Sequence, residues 1–226
     1  MAATPQSKAI DGAAPAVGLK GEISDFKRRR IREEACHLFF RNGYEGATID
    51  AIAQRLDVTK PFIYSYYKNK SVLLFEICQL GISRSLKAMD QAILEEKPPM
   101  ETLKSLLERV LRIIMDYQEY IVVYVREEKN LDPALARQIR EMRNLFDHRL
   151  AELLEKGNAS GEFAVSDPVM TATTVGGMMT WVSLWYSPRG KWTEHEVVSH
   201  VMWTIESVVR GHPDSRAGAS MKEGMS

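Results

Sequence analysis

Eleven residues, Lys60 to Lys70, carry Lys60, Tyr64, Tyr66, Tyr67, Lys68 and Lys70. Their ammonium groups and phenolic hydroxyls can bond phosphate oxygens and base edges, the chemistry of a helix lying in the major groove of DNA. Spacing sorts the side chains. Ile63 and Tyr67 stand four residues apart and face inward, while Tyr64 shares a solvent-open face with Lys60 and Lys68. The competing role for the aromatic triplet is core packing.

No comparable cluster offers catalysis. His37, His148, His195, His200 and His212 form no HExxH or similar ligand spacing, and no Walker, dinucleotide-binding or serine-hydrolase motif occurs. No catalytic residue, metal site or cofactor is expected. Cys36 and Cys78 each sit in an apolar helical pattern and read as buried reduced thiols rather than a disulfide or a metal site.

The elements that must hold the cluster follow from capping and periodicity. Thr48 is a helix N-cap, followed at helical spacing by Ile49, Ile52, Ala53 and Leu56. Asp57-Val58-Thr59 is only long enough for a turn. Thr59 caps a second helix, with Pro61 in the first turn, where a missing N–H costs nothing. Upstream, a helix over about 24–41 ends at Asn42-Gly43. Downstream, a connecting helix runs from near Ser71 to about Glu96, where Lys97-Pro98-Pro99 stops it.

Residues 24–75 resemble the DNA-binding domain of the TetR family of bacterial transcriptional repressors. The resemblance rests on the apolar helix with Ile31, Ala35, Leu38, Phe39 and Phe40, and on the corner Asn42-Gly43-Tyr44-Glu45-Gly46-Ala47-Thr48. It continues through Lys68-Asn69-Lys70 into Val72-Leu73-Leu74. It implies that Thr48 and Lys70 hold phosphates, that Thr59 binds the DNA backbone, and that Lys60, Phe62, Tyr64 and Tyr66 face the groove. The sequence departs from common forms at Phe62 and Ser65, so the bases read are left open; an apolar ring at 62 could meet a thymine methyl.

The chain has 226 residues and is 45% hydrophobic, enough for one large or two small domains with a real core. Its net charge is zero, yet residues 20–70 hold 11 basic and 7 acidic residues, a net +4, which leaves −4 on residues 71–226. A basic head on an acidic body suits docking to DNA by one end. Lys27-Arg28-Arg29-Arg30 is either a solvated face or a phosphate contact. Residues 1–21, rich in Ala, Pro, Gly and Lys, lack the apolar core of a signal peptide and read as a disordered arm. No apolar run approaches the ~20 residues of a membrane span, so a cytoplasmic protein without membrane association is expected.

No sustained period-two pattern occurs, which predicts an all-α fold: a three-helix head joined by the connecting helix to a helical body. The expected units are the arm 1–21, a helix-turn-helix domain 22–70, a ligand-binding and dimerisation body 71–211, and a flexible tail 212–226. Body helices are expected over about 100–117, 118–128, 133–156, 168–186 and 194–210. Asp132 and Thr193 are their caps, Glu196 completes a capping box, and 157–161 forms a loop.

An aromatic and methionine cluster includes Met170, Met178, Met179, Trp181, Trp185, Tyr186, Trp192 and Trp203, with Tyr117, Tyr120 and Tyr124 on another helix. Such stripes serve as core, as subunit interface or as an adaptable ligand lining. Gly176-Gly177 within a helix marks a close helix contact or room for a ligand. The candidate ligand-binding residues are Tyr120, Tyr124, Met170, Thr174, Gly177, Met178, Trp181 and Trp185. Segments 168–185 and 194–209, apolar on more than one side, are the expected dimer interface.

Residues 125–210 resemble, more weakly, the body of a TetR branch that senses acyl-CoA thioesters, through Gly157-x-x-x-Gly161-Glu162-Phe163 and the turn Trp181-x-x-x-Trp185-Tyr186-Ser187-Pro188-Arg189-Gly190. Arg126, Arg137, Arg140, Arg143 and Arg149 could then neutralise CoA phosphates, or instead pair with Glu127, Glu141, Glu152 and Asp147. The expected function is a homodimeric repressor on a palindromic double-stranded operator, released by a small hydrophobic or acyl-CoA-type effector. The alternatives are an activator, a regulator without a ligand, and an α-helical enzyme.

Overall fold

A computed structural model describes residues 18–211, and all regular structure among them is helical. The expected flexible tail 212–226 and most of the expected arm lie outside the described residues. The helices are α1 (Leu19–Gly46), α2 (Ile49–Arg55), α3 (Lys60–Tyr64), α4 (Lys70–Leu94), α5 (Pro99–Asp116), α6 (Gln118–Glu127), α7 (Pro133–Ser160), α8 (Pro168–Trp185) and α9 (Glu194–Arg210), with a 3-10 turn at Glu128–Asn130.

Two apolar cores organise the chain. The first gathers α1 to α3 with the start of α4, through Ile31, Phe39, Ile52, Ile63, Leu73, Leu74 and Ile77, and takes in Val123, Leu131 and Ile139 from the body. The second lies among α5, α7, α8 and α9 and receives Ala88, Met89 and Ala92 from the far end of α4. α4 is therefore common to both. Gly81, midway along it, lies against Ile121 of α6, whose Cδ1 fills the space a Cβ would need.

Local chemistry explains most boundaries. Gly43 has φ +70 and ends the regular part of α1, a conformation that L side chains rarely adopt. Asn69 Oδ1 accepts from Val72 N at 2.8 Å and caps α4. Asp167 Oδ1 accepts from Met170 N at 2.9 Å. Thr193 and Glu196 form the expected capping box.

Three expectations are corrected. α1 starts at Leu19 rather than near 24, so the arm does not reach residue 21. Asp132 makes no side-chain cap bond; Pro133 at the first helical position already removes one free donor there. Residues 157–160 are not loop but the last turn of α7, which ends at Gly161 in the left-handed conformation. The reason is Phe163, which folds back over Gly157 so that a Cβ would lie 1.8 Å from the ring. Phe163 N donates to Gly157 O at 3.0 Å, and Asn158 holds Val165 by both its amide atoms, 2.7 and 2.9 Å. Glu162 then reaches across to accept from Met100 N at 2.9 Å, serving as a cap for α5.

Gly157→Ala is expected to destabilise the chain by about 1–3 kcal/mol, because the ring of Phe163 must move inside a filled core. Thermal unfolding checks this; a midpoint equal to that of the parent would mean that the ring is not held against Gly157.

Candidate nucleic-acid interface and body cavity

The head is a capped helix-turn-helix. Ala51 N donates to Thr48 Oγ1 at 3.1 Å, and Phe62 N to Thr59 Oγ1 at 3.4 Å. The turn between α2 and α3 is closed by Val58 N to Ala53 O at 3.0 Å, with Asp57 at φ +54. Aspartate is among the few L residues that take this region readily.

α3 ends at Tyr64, so Tyr66, Tyr67 and Lys68, expected on the same helix, lie in the turn after it and Lys70 begins α4; burial still divides the segment as its spacing predicts. Ile63 and Tyr67 are buried; Lys60, Ser65, Lys68 and Tyr64, the last 45% exposed, face outward. Phe62 and Tyr66 are half-buried against each other, ring centroids 5.2 Å apart, with Lys27 Nζ 5.7 Å from the Phe62 ring. Tyr66 thus carries part of the packing role. Ser65 spends its hydroxyl on Phe62 O at 2.7 Å.

Two lysines sit in specific settings. Lys60 bonds Asp50 at 2.8 Å, which raises its pKa chiefly through that hydrogen bond, but both groups are exposed and such a pair exchanges readily for another anion. Lys70 lies at the N-terminus of α4 with Nζ 4.1 Å from the Tyr44 ring, and burial lowers its pKa. An ammonium at the positive end of a helix favours an anion beside it.

The basic run on α1 is divided in use. Arg28 donates to Tyr66 O at 3.0 Å and pairs with Glu76 of α4. Tyr67 Oη stands 3.0 Å from both Arg28 O and Glu76 Oε2, and the Arg28 guanidinium lies 4.8 Å from the Tyr67 ring. Burial, with Glu76 beside it, pushes the Tyr67 phenol well above its ordinary value. Arg30 pairs with Glu33, and Arg29 lies over Phe26. α1, the end of α3 and the start of α4 are thereby tied at one point.

α6 meets α1 beside this knot. His37 Nδ1 lies 3.4 Å from Glu119 Oε2, and Tyr120 packs on the head core. The far side of α6 borders a cavity of about 580 Å³. Its walls are Cys78, Gly81, Ile82 and Ser85 of α4; Val110 and Ile114 of α5; Ile121, Tyr124 and Val125 of α6; and Glu128. Ile139, Arg143, Asn144, Phe146 and Asp147 of α7 face Thr173, Gly176, Gly177, Met179 and Thr180 of α8. Arg143 Nη1 donates to Tyr124 Oη at 3.1 Å. Burial raises the pKa of Asp147, and it pushes the Cys78 thiol up to about 12.

Of the expected ligand residues, Tyr124 and Gly177 line this cavity. Tyr120 belongs to the head packing, and Met178 packs on the body core. Met170, Thr174, Trp181 and Trp185 lie on the outward face of α8, where Met170 is 68% and Trp181 62% exposed. Arg143, named from sequence only as one of five arginines for CoA phosphates, lines the cavity, while Asn144 carries no expectation from sequence and Asp147 only that of an ion-pair partner. Their one signal is polar residues beside Phe146 on α7, which solvated faces also show. The arginines do not pair with Glu127, Glu141, Glu152 or Asp147: Arg149 pairs with Asp90, Arg126 lies over Phe40, and Arg137 and Arg140 are exposed without an ion pair among the described residues.

The second apolar surface is outward. Val169, Met170, Trp181, Leu184 and Trp185 of α8, with Trp203 and Val208 of α9, are exposed. Ala172, Val175, Val182, Val197, Val198, Ile205 and Val209, expected to share in that surface, are buried in the chain's own core.

A capped helix-turn-helix with a cationic outer helix, joined through one long helix to a body with a cavity, defines a helix-turn-helix transcription regulator. Residues 31–77 match the family model for bacterial regulatory proteins of the tetR family, and residues 96–209 match the tetracyclin repressor-like C-terminal domain. The chain belongs to the TetR family, a family of DNA-binding regulators. It is 30% identical over 103 residues to the uncharacterized HTH-type transcriptional regulator YerO of Bacillus subtilis (strain 168), a match covering 45% of this chain but only 36% of that protein. The TetR family transcriptional regulator PfmR from Thermus thermophilus is 28% identical with a TM-score of 0.73, covering 80% of this chain and 98% of its own. AibR, solved in complex with isovaleryl coenzyme A and operator DNA, shares the fold at a TM-score of 0.71 and 22% identity, over 79% of this chain and 97% of its own.

Tyr67→Phe is expected to cost about 1 kcal/mol, since it removes a hydroxyl that bonds two partners at the head's knot. Denaturant unfolding measures it. An unchanged midpoint would show that the hydroxyl holds nothing.

Proposed function

We propose that the chain is a cytoplasmic homodimeric repressor that docks a two-fold operator through two copies of α3, with the helix-turn-helix head, expected over 22–70, beginning at Leu19 and residues 71–211 as body. The observation that carries this is the outward side of α3 and the turn after it, where Lys60 and Tyr64 of the helix and Lys68 of the turn are exposed while Ile63 and Tyr67 anchor the segment from behind. Thr48, Thr59 and Lys70 sit at helix starts, beside which phosphates bind well. Phe62, Ser65 and Tyr66 complete the groove-facing set, with Phe62 and Tyr66 also packing the head.

The apolar outward side of α8 and α9 supports the dimer. An exposed patch with two tryptophans above 60% exposure is covered in a stable protein, and a second copy offers the same surface to it. Paired in this way, the two heads must stand about one DNA turn apart, roughly 34 Å, to reach successive major grooves.

The effector reading is a small hydrophobic or acyl-CoA-type molecule in the cavity. The mixed apolar and polar walls support it, and so does the isovaleryl coenzyme A bound by AibR. Arg137 and Arg140, exposed on α7 near Asn144, are free to meet CoA phosphates. An occupant would bear on α4 and α6 together, and it releases DNA only if it prefers the spacing of heads that does not fit the operator.

Operator binding is tested by gel shift with the DNA flanking the gene. Lys70→Ala is expected to weaken binding to all sequences and to lower the log–log salt slope by about 0.9. Tyr64→Ala and Lys60→Ala are expected to lose discrimination, about 1–3 kcal/mol each where a base is contacted. Full operator affinity in both folded variants would remove α3 as the recognition helix.

Sedimentation is expected to give a dimer at micromolar concentration, and the double substitution Trp181→Glu with Trp203→Glu to give a monomer that binds the operator poorly. A monomeric parent would overturn the dimer.

A further inference from the structure

The cavity carries a carboxylate that the protein does not use. Asp147 is half-buried in its wall, and it has neither hydrogen bond nor ion pair among the described residues. Arg143, one turn earlier on the same helix, holds its charge near Asp147 but gives its hydrogen bond to the Tyr124 hydroxyl. Across from it, α8 presents glycine: a Cβ on Gly176 would lie 3.4 Å from Asp147 Oδ1, and a Cβ on Gly177 would meet nothing within 4 Å. The lack of a side chain at Gly176 leaves the carboxylate uncovered, Gly177 leaves the cavity open beside it, and Val110, Ile114, Phe146 and Met179 of the walls are apolar.

Taking a carboxylate partly out of water without a donor is costly. A molecule that brings a donor to it recovers that cost and covers the apolar wall with its remainder. The lining holds two acids, Glu128 and Asp147, against one cation, Arg143, so a ligand carboxylate meets net repulsion there.

We propose that the cavity binds an aliphatic chain bearing an N–H donor, amide or amine, with the donor on Asp147 and the chain along Val110, Ile114, Phe146 and Met179. This rests on the reading of the cavity as the effector site, and it sets the class of effector: an acyl thioester of an amide-bearing carrier, or an alkylamine, is accepted, and the free fatty acid is not. The amide N–H and the ammonium share the donor chemistry and differ in charge. An amide needs only an acceptor at residue 147, while an ammonium needs the negative charge as well.

The test is calorimetric titration of the DNA-free protein with four eight-carbon probes: N-octylacetamide, octylamine, octanoyl-CoA and octanoic acid. Octanoic acid is expected to bind at least tenfold more weakly than N-octylacetamide. Asp147→Ala is expected to weaken the best N–H-bearing probe at least tenfold. Asp147→Asn then separates the sources: it spares N-octylacetamide and octanoyl-CoA if the donor is an amide, and it weakens octylamine if the donor is an ammonium. Gly176→Val, whose side chain would lie against Asp147 Oδ1 and cover the carboxylate, is expected to weaken the same probe. Octanoic acid binding as well as the amide, or folded Asp147→Ala and Gly176→Val proteins that keep parental affinity for every probe, would overturn the proposal. A gel shift run with the same probes tests the effector reading apart from this one: a probe that binds through Asp147 yet leaves the operator complex intact upholds the site and removes its role in release.

Discussion

α4 is one rigid rod shared by two cores, and this constrains everything else in the molecule. Leu73, Leu74 and Ile77 are sealed into the head; Ala88, Met89 and Ala92 are sealed into the body. A packed interior does not deform smoothly, so a shift of the body end of α4 turns the head as a unit. The middle of the rod meets α6, where Gly81 admits Ile121, and there Cys78, Gly81, Ile82 and Ser85 form one wall of the cavity. The cavity therefore presses on the segment between the two cores.

The head is held to that rod by polar contacts as well as by packing. Glu76 of α4 meets Arg28, Arg32 and the Tyr67 hydroxyl, and Arg28 also holds the last turn after α3 through Tyr66 O. A half-buried carboxylate with cations on one side and a phenol on another is stable only when all are in place. The outer face of α3 is thus fixed relative to α4, and its exposed side chains move with the rod. α6 adds a second link, through Glu119, which faces His37 of α1, and through Gln118, whose amide donates to Ser183 O and Tyr186 O at the end of α8. Head, cavity and outward face are joined through two helices.

The tryptophans of α8 and α9 show how one residue type divides between tasks. Trp181 and Trp203 are outward, and Trp185 packs edge-on against Trp192 at 6.1 Å, also at the surface. The cavity is lined instead by smaller residues, Thr173, Gly176, Gly177 and Thr180, along one edge of the same α8 face. The cavity and the proposed dimer surface are therefore neighbours on one helix, which lets a change in one reach the other.

The local architecture of the head was legible in the sequence. Thr48, Thr59, Pro61 and Asn42-Gly43 act through caps and turns that depend only on near neighbours, and Ile63 of α3 and Tyr67 of the turn after it are the residues buried, although the helix stops at Tyr64. The all-helical body and its helix order were legible for the same reason. Tertiary contacts decided the rest. Gly157 reads as a helix end until Phe163 is seen to fold over it, and α7 then runs on to Ser160. Val175, Val197 and Ile205 read as outward as readily as Trp181 does, because periodicity finds an apolar face but does not say what covers it. Asp147 reads as one more surface charge; only the convergence of α4, α5, α6, α7 and α8 puts it in a cavity wall with no hydrogen bond or ion pair among the described residues. Local chemistry is written in neighbouring residues, whereas a cavity belongs to segments that are distant in sequence, and their approach is set by the packing of the whole chain.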